Sequence, residues 1–493
     1  MPEDRPATDD GPLLEGTRRA LDARLAEEQA RRRVPSVTAA VVRGGAVVWS
    51  GAAGHLDGTA DSPLATPRTQ YRIGSITKTF VGTQVLQLRD AGRLDLNDRI
   101  GDHLPELGGG AGLRAANGTG GGALRRGSGT TGPRAANGTD LPVTVAQLLS
   151  HTSGLQAETN GPWWERTPGE AWDELLAAGP RLLFTPGTRF HYSNTGFGVL
   201  GELVSRLRGQ PWHDTVHEDL LEPLGMTATT HRPSDDAAPG LAVHPFADLA
   251  HVEPEHDAAA LAPAGQLWSS AEDLARWAAF AAGHTAGLLE DATLREMLRP
   301  VAVSDVTGQP WTGAHALGWQ VWNVAGRRYV GHGGSMPGFL ASLRVDVESG
   351  DGVVVLANTT SGLGPVGTDL LDLVREREPV AAPPWRRAPA QHDLLDLVGD
   401  WFWGTSRYTV RLDGDRLVLG EPGQGRGARF ASTADGAWVG LEGYYENERL
   451  TVRRDADGRP VQLDLATFAF TRTPYDASPD VEVPGGLDEA GWS

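Results

Sequence analysis

The apolar positions of this chain change their period several times, and each change predicts an element. Leu13, Leu14, Leu21 and Leu25 stand among Arg and Glu and stop before Pro35, which predicts an amphipathic helix within 12–33. VTAAVVRGGAVVWSGAAG follows, two apolar runs joined at Gly44-Gly45, and predicts a β-hairpin. TQYRIGS reads as a short extended approach to a helix that carries Val81, Val85, Leu86 and Leu88 and ends at Gly92. In that helix Ile73, Ile76 and Phe80 should face the core and leave Ser75, Lys78 and Gly82 to line an opening.

Further on, VTVAQLLSHTSGL at 143–155 packs apolar residues and then turns. Thr188 to Gly209 predicts an extended entry, a polar turn and a helix with Val199, Leu200, Leu203 and Leu207 ended by Gly209. Ser270-Ala271-Glu272-Asp273 predicts a capping box opening another helix. Over 316–358 the period becomes that of strands, an antiparallel meander. Within 13–375, after the first helix, strands therefore open and close the region, with helices between them.

Two stretches break the pattern. Residues 108–140 hold almost no large apolar side chains and repeat RAANGT at 114–119 and 134–139, so a low-complexity, disordered insertion is expected there. Its Asn117 and Asn137 head N-x-T triplets. Residues 376–391, rich in Pro, read as a linker. Beyond it, 392–477 shows short alternating runs (SRYTVRL, DRLVLG, GAWVGL, RLTVRR, VQLDL, TFAFTR) and predicts a small all-β domain, sandwich or barrel. Residues 1–12 and 478–493 read as tails.

The chain has 493 residues, enough for two or three domains. Its formal charge of −19 argues against nucleic acid or an anionic membrane as partner, and favours a small-molecule or short peptide substrate. Oligomeric state is left open. No cysteine is present, which removes disulfides, thiolate zinc sites and thiol catalysis together. With no apolar leader near the start and no apolar run long enough to span a bilayer, the expected location is cytoplasmic.

Composition also singles out one residue. Lys78 is the only lysine among 44 Lys and Arg. It follows Ser75 by three positions, and residues three apart on a helix are surface neighbours. A serine hydroxyl is a weak nucleophile until a base takes its proton; a buried lysine can do so because burial lowers its pKa, whereas arginine cannot. Tyr192-Ser193-Asn194 lies in the turn before a helix, where Tyr192, held partly as phenolate beside a lysine, could act as base while Asn194 holds the substrate. His332-Gly333-Gly334-Ser335 ends a strand: the glycines admit a close substrate backbone, and the Ser335 amide could hold an oxyanion. Standing alone, the second and third pieces read more readily as turns.

Other constellations are incomplete. There is no Gly-x-Ser-x-Gly elbow, and His217-Glu218 is followed by Leu221 where a zinc-binding His-Glu-x-x-His needs histidine. His251, Glu253, Glu255, His256 and Asp257 lie in a Pro-containing polar loop and read as solvated, so neither a metal nor another cofactor is expected. Trp163 and Trp164 could wall a cleft or simply pack.

Taken in this order, Ser75-x-x-Lys78, Tyr192-x-Asn194 and His332-Gly333-Gly334 resemble the serine β-lactamase and penicillin-binding superfamily. Tyr-x-Asn in place of Ser-Asp-Asn is the pattern of class C β-lactamases, D-alanyl-D-alanine carboxypeptidases, D-aminopeptidases and related esterases. LLSHTSGL, EPLGM and SSAEDLARW support the likeness, which covers about residues 15–375. It implies a central antiparallel sheet flanked by helices with an all-helical subdomain, and, more weakly, a lipocalin-like C-terminal β-barrel. It implies an acyl-enzyme on Ser75, with Lys78 and Tyr192 moving protons and Asn194, His332, Gly333, Gly334 and Ser335 binding substrate. The reaction expected is hydrolysis of an ester or amide, of esterase or D-peptidase type; a true β-lactamase and a non-catalytic binding or sensing protein are the alternatives. His332 stands where antibiotic-hydrolysing members carry the Lys of Lys-Thr-Gly, and an imidazole near half-charge around pH 6.5 should hold a carboxylate less firmly. No Glu-x-x-Leu-Asn stretch is present for the class A deacylation route.

Overall fold

The computed structural model describes residues 13–108, 114–115, 143–378, 384–387, 389–476 and 483. It forms two compact units, Met1–Ala382 and Pro383–Ser493. The first begins with helix α1 (Glu15–Arg31) and the hairpin β1 (Ser36–Arg43) and β2 (Ala46–Gly54). Its remaining sheet strands come late in the chain: β3 (Ala302–Val303), β4 (Gly313–His315), β5 (Gln320–Val324), β6 (Arg327–Met336), β7 (Phe339–Asp346) and β8 (Gly352–Ala357). They make one antiparallel sheet in the order β2-β1-β8-β7-β6-β5-β4-β3.

The run VTAAVV is apolar without alternation because β1 is buried on both faces. On one face Val37, Ala39 and Val41 pack with Leu21 and Leu25 of α1 and with Leu370, Leu371 and Val374 of the terminal helix Val366–Arg377. On the other, Ala40 and Val42 join the large core with Val354, Leu356 and Leu274. Of the N-terminal leucines, Leu14 alone is exposed, just before the helix begins.

Between β2 and β3 most of the regular structure among the described residues is helical. It contains α2 (Thr77–Asp90), α3 (Asn194–Arg208) and α4 (Ala271–Ala281), with short two-stranded ladders such as Tyr71–Arg72 against Trp268–Ser269. The expected capping box at Ser270 is half made. Ser270 Oγ accepts the Asp273 N–H at 3.2 Å, while the Asp273 carboxylate turns away to the Ala228 N–H at 2.7 Å. The insertion and both N-x-T triplets lie outside the described residues, apart from Gly108 and Arg114–Ala115, whose backbone pairs with Arg181–Leu182.

The second unit is a closed antiparallel barrel of eight strands running from Gly399–Trp403 to Phe468–Thr471. Trp401, Phe430, Tyr445, Leu463 and Phe470 fill its interior. Two of its strands, GDWFW at 399–403 and ARFAS at 428–432, carry no clear alternation and were not expected from the pattern. No helix among the described residues is long and apolar enough to cross a membrane.

Candidate active site

Ser75 sits in a single turn of 3-10 helix, Gly74–Ile76, that leads into α2. From Tyr71 to Leu86 every residue is buried except Ser75, which is half-exposed. The amphipathic expectation for α2 is therefore too simple: up to Leu86 the helix is buried all round, and the opening lies at the Ser75 turn that leads into it. Gly82 does not line it. A Cβ there would lie 3.2 Å from Gly318 Cα, so this glycine lets the β4–β5 connection approach the helix. On the opposite side, Phe80 stacks on Trp277 of α4 with ring centroids 4.1 Å apart, and the Trp277 indole donates to Thr79 Oγ1 at 2.8 Å. The first turn of α2 is thus fixed from two directions.

Lys78 is fully enclosed. Its Nζ donates to Ser75 Oγ at 2.9 Å and to the Ala264 carbonyl at 2.6 Å, and lies 5.0 Å from the Tyr192 ring centroid and 5.6 Å from that of Phe197. Burial lowers its pKa to about 7, against a smaller upward pull from the Glu158 and Glu165 carboxylates. An amine poised near neutrality beside a hydroxyl is suited to take its proton.

Tyr192 shares a hydrogen bond with Ser75, so the three side chains converge. Its protonation differs from the expected phenolate. Burial holds the phenol above its ordinary pKa, the Ser75 hydrogen bond pulls back, and the Glu158 carboxylate pushes it further up. Tyr192 is accordingly a phenol, able to donate. Asn194 opens α3 after the cap Ser193, whose Oγ accepts the Gly196 N–H at 2.9 Å. Asn194 Nδ2 donates to Glu158 Oε1 at 2.7 Å, and its Oδ1 is buried with no partner.

His332, Gly333, Gly334 and Ser335 all lie on β6. Gly74, at φ +54, and Gly334 make the contact with the Ser75 turn: a Cβ on Gly74 would fall 2.5 Å from the Ser335 nitrogen, and one on Gly334 would collide with the Ile73 carbonyl oxygen. The Ser335 backbone is thereby brought beside the Ser75 turn. The Gly333 N–H donates to Gln320 Oε1 at 3.0 Å. The expected half-charge on His332 does not hold. Its ring is buried, and desolvation first, then the nearby Lys78, keep its pKa well below the usual value, so it is neutral near pH 7. Its Nδ1 is 2.6 Å from the Gly333 carbonyl, which fixes the proton on that nitrogen.

Four participants were not singled out in the sequence. His151, inside LLSHTSGL, stacks on Tyr192 and accepts the Ser193 N–H on Nδ1 at 3.0 Å. His315, on β4, stands 5.2 Å from His151 and 5.8 Å from Tyr192 between ring centroids; burial and Lys78 lower its pKa to about 4. Glu158 holds Asn194 with one oxygen and the Trp164 indole with the other, at 2.7 Å each. Ala264 supplies only a carbonyl, which no side-chain motif can reveal. Trp164 is buried and Trp163 exposed. The polar loop at 251–257 disperses its groups: Glu253 pairs with Arg166 and Asp257 with Arg232.

The chain is similar to known proteins over most of its length. Residues 390–472 match a domain family of unknown function, DUF7586. The protein flp of Staphylococcus aureus strain COL is 25% identical over 362 residues, 72% of this chain and 65% of that protein, so the chain spans less than two thirds of that relative. The octameric penicillin-binding protein homologue from Pyrococcus abyssi superposes with a TM-score of 0.60 at 20% identity, covering 93% of this chain and 100% of that one. A D-stereospecific amidohydrolase from Streptomyces sp. gives a TM-score of 0.56 at 25% identity, covering 74% of this chain and 99% of that one. Residues 21–375 match the Beta-lactamase family, and the chain belongs to it.

Proposed function

We propose that the chain is a serine hydrolase that cleaves an ester or amide through an acyl-enzyme on Ser75. The observation that carries this reading is the 2.9 Å contact between Ser75 Oγ and the amine of Lys78, whose pKa burial brings to about 7. Neutral Lys78 takes the hydroxyl proton as Ser75 attacks the carbonyl carbon. The Ser75 and Ser335 amides receive the oxyanion. Tyr192, a phenol, gives its proton to the departing amine or alkoxide and regains one from the Lys78 ammonium beside it. Water then attacks the ester on Ser75, its proton passes through the same groups, and Ser75 Oγ is restored.

The substrate reading rests on charge. His332 is neutral, so the strand offers no cation where a β-lactam or a C-terminal carboxylate would need one, while Glu158 is exposed beside Asn194. An acyl group with a free amine and no carboxylate fits better, and an amide bond to it would suit the likeness to a D-stereospecific amidohydrolase. Short acyl esters, D-amino-acid amides and a chromogenic β-lactam, assayed in parallel, test this. Turnover of the esters or amides is expected; turnover of the β-lactam alone would overturn it.

A further inference from the structure

Arg72 is a cation buried without an anion. It lies three residues before Ser75 and is 3% exposed. Its Nη2 donates only to neutral oxygens, Gln266 Oε1 at 2.6 Å and the His256 carbonyl at 3.2 Å, and its Nε is enclosed without a partner. Burial lowers its pKa to about 10, and the Glu255, Glu165 and Asp257 carboxylates oppose this only from a distance. Trp268 stands directly opposite Arg72 in the two-stranded ladder, so both side chains share one face. Trp268 is 2% exposed, and its indole N–H also lacks an acceptor.

Both residues line one cleft of about 480 Å³, whose apolar wall includes Pro239, Val252 and Phe339. None of Ser75, Lys78, Tyr192, Asn194, His332 and Ser335 lines it. Two carboxylates reach the cleft. Glu253 is neutralised by Arg166 at 2.5 Å; Glu255 is exposed and makes no ion pair among the described residues. Buried charges are normally paired and buried donors satisfied, so an unpaired guanidinium on the wall of the cleft, beside an indole N–H that also lacks a partner, calls for acceptor oxygens from an occupant. The free carboxylate at the mouth calls for a positive charge on the same occupant.

We propose that this cleft is a second ligand site, separate from the Ser75 site, that takes a small amino acid: its carboxylate meets Arg72 and Trp268, its ammonium meets Glu255, and its apolar side chain lies against Val252 and Phe339. The inference does not depend on what Ser75 hydrolyses. Calorimetric titration of the full chain, with Ser75 blocked by a fluorophosphonate, tests it with three probes: phenylalanine, hydrocinnamate and phenethylamine. Phenylalanine should bind at one site, hydrocinnamate more weakly, and phenethylamine not measurably. Arg72→Gln should weaken phenylalanine binding by at least ~10-fold, as loss of a charge-assisted hydrogen bond does. If Arg72→Gln does not fold, Trp268→Phe, which keeps the apolar wall and removes only the N–H, should weaken binding by several fold. Absence of phenylalanine binding to the blocked protein, equal binding of phenethylamine, or unchanged affinity in the folded variants would overturn the proposal.

Discussion

The imidazole of His151 lies nearly flat against the ring of Tyr192, with centroids 4.2 Å apart and 24° between the planes. The same residue accepts the Ser193 N–H on Nδ1 at 3.0 Å and the His191 N–H on its carbonyl at 2.8 Å, so it grips the backbone on both sides of Tyr192. His151→Ala would leave a buried N–H unsatisfied, at a cost of about 1–3 kcal/mol, and would free the phenol to move. Acylation of Ser75 should slow by at least ~10-fold, with His151→Asn recovering part of the rate. Equal labelling rates for His151→Ala and wild type would show that the stack does not position Tyr192.

In the proposed mechanism Lys78 sets the pH dependence. With its pKa lowered to about 7 by burial, the fraction of neutral amine grows as pH rises through that value. Acylation should therefore climb about 10-fold per unit below pH 7 and level off above pH 8. His332 stays neutral throughout, so an acidic and a neutral acyl substrate should give the same profile between pH 6 and 8. An acidic substrate that loses affinity over that range while a neutral one does not would restore a charged role to His332.

Burying Lys78 also costs stability, with a definite sign. Its pKa falls from the ordinary lysine value of 10.5 to about 7 in the fold, so between those values the unfolded chain binds a proton that the folded chain does not. Stability rises with pH across that window, and below about 7 the full cost of the buried cation is present. Lys78→Met should abolish activity yet stabilise the protein at pH 6 by up to a few kcal/mol, and by less at pH 9. Urea denaturation at the two pH values reads this; an unchanged midpoint at both would contradict the assigned burial cost.

How much of this was legible depends on how far each feature is carried by neighbouring residues. The β1–β2 hairpin, the ends of α2 and α3 at Gly92 and Gly209, and the Ser75–Lys78 pair are local, and the pattern marks them. Burial is not local. The side chains that enclose His332 come from β4, from the turn holding Tyr192 and from Lys78, so its neutral state cannot be read from His-Gly-Gly. The same holds for Ala264, in the short helix Ala262–Gly265, and for Glu158, which reach Lys78 and Asn194 from other parts of the chain. The strand GDWFW was hidden because Trp401 faces the barrel core while Phe402 and Trp403 beside it are also aromatic, which erases the alternation.

The two compact units each hold their own apolar core. A fragment ending at Arg386 should therefore fold and keep Ser75 reactive within a few-fold of the full chain. Its circular dichroism and its rate of acyl-ester labelling are the readouts. An insoluble fragment would show that the barrel is needed for the first unit to fold.

The central claim is that Ser75 is the nucleophile and Lys78 its base, and intact-protein mass spectrometry after exposure to an activated acyl ester or fluorophosphonate tests it most directly. Wild type should gain one adduct, on Ser75, and Ser75→Ala none. Lys78→Arg keeps a cation but cannot release its proton, and should label at least ~10²-fold more slowly. An adduct that persists in Ser75→Ala, or equal rates for wild type and Lys78→Arg, would contradict the assignment of nucleophile and base respectively.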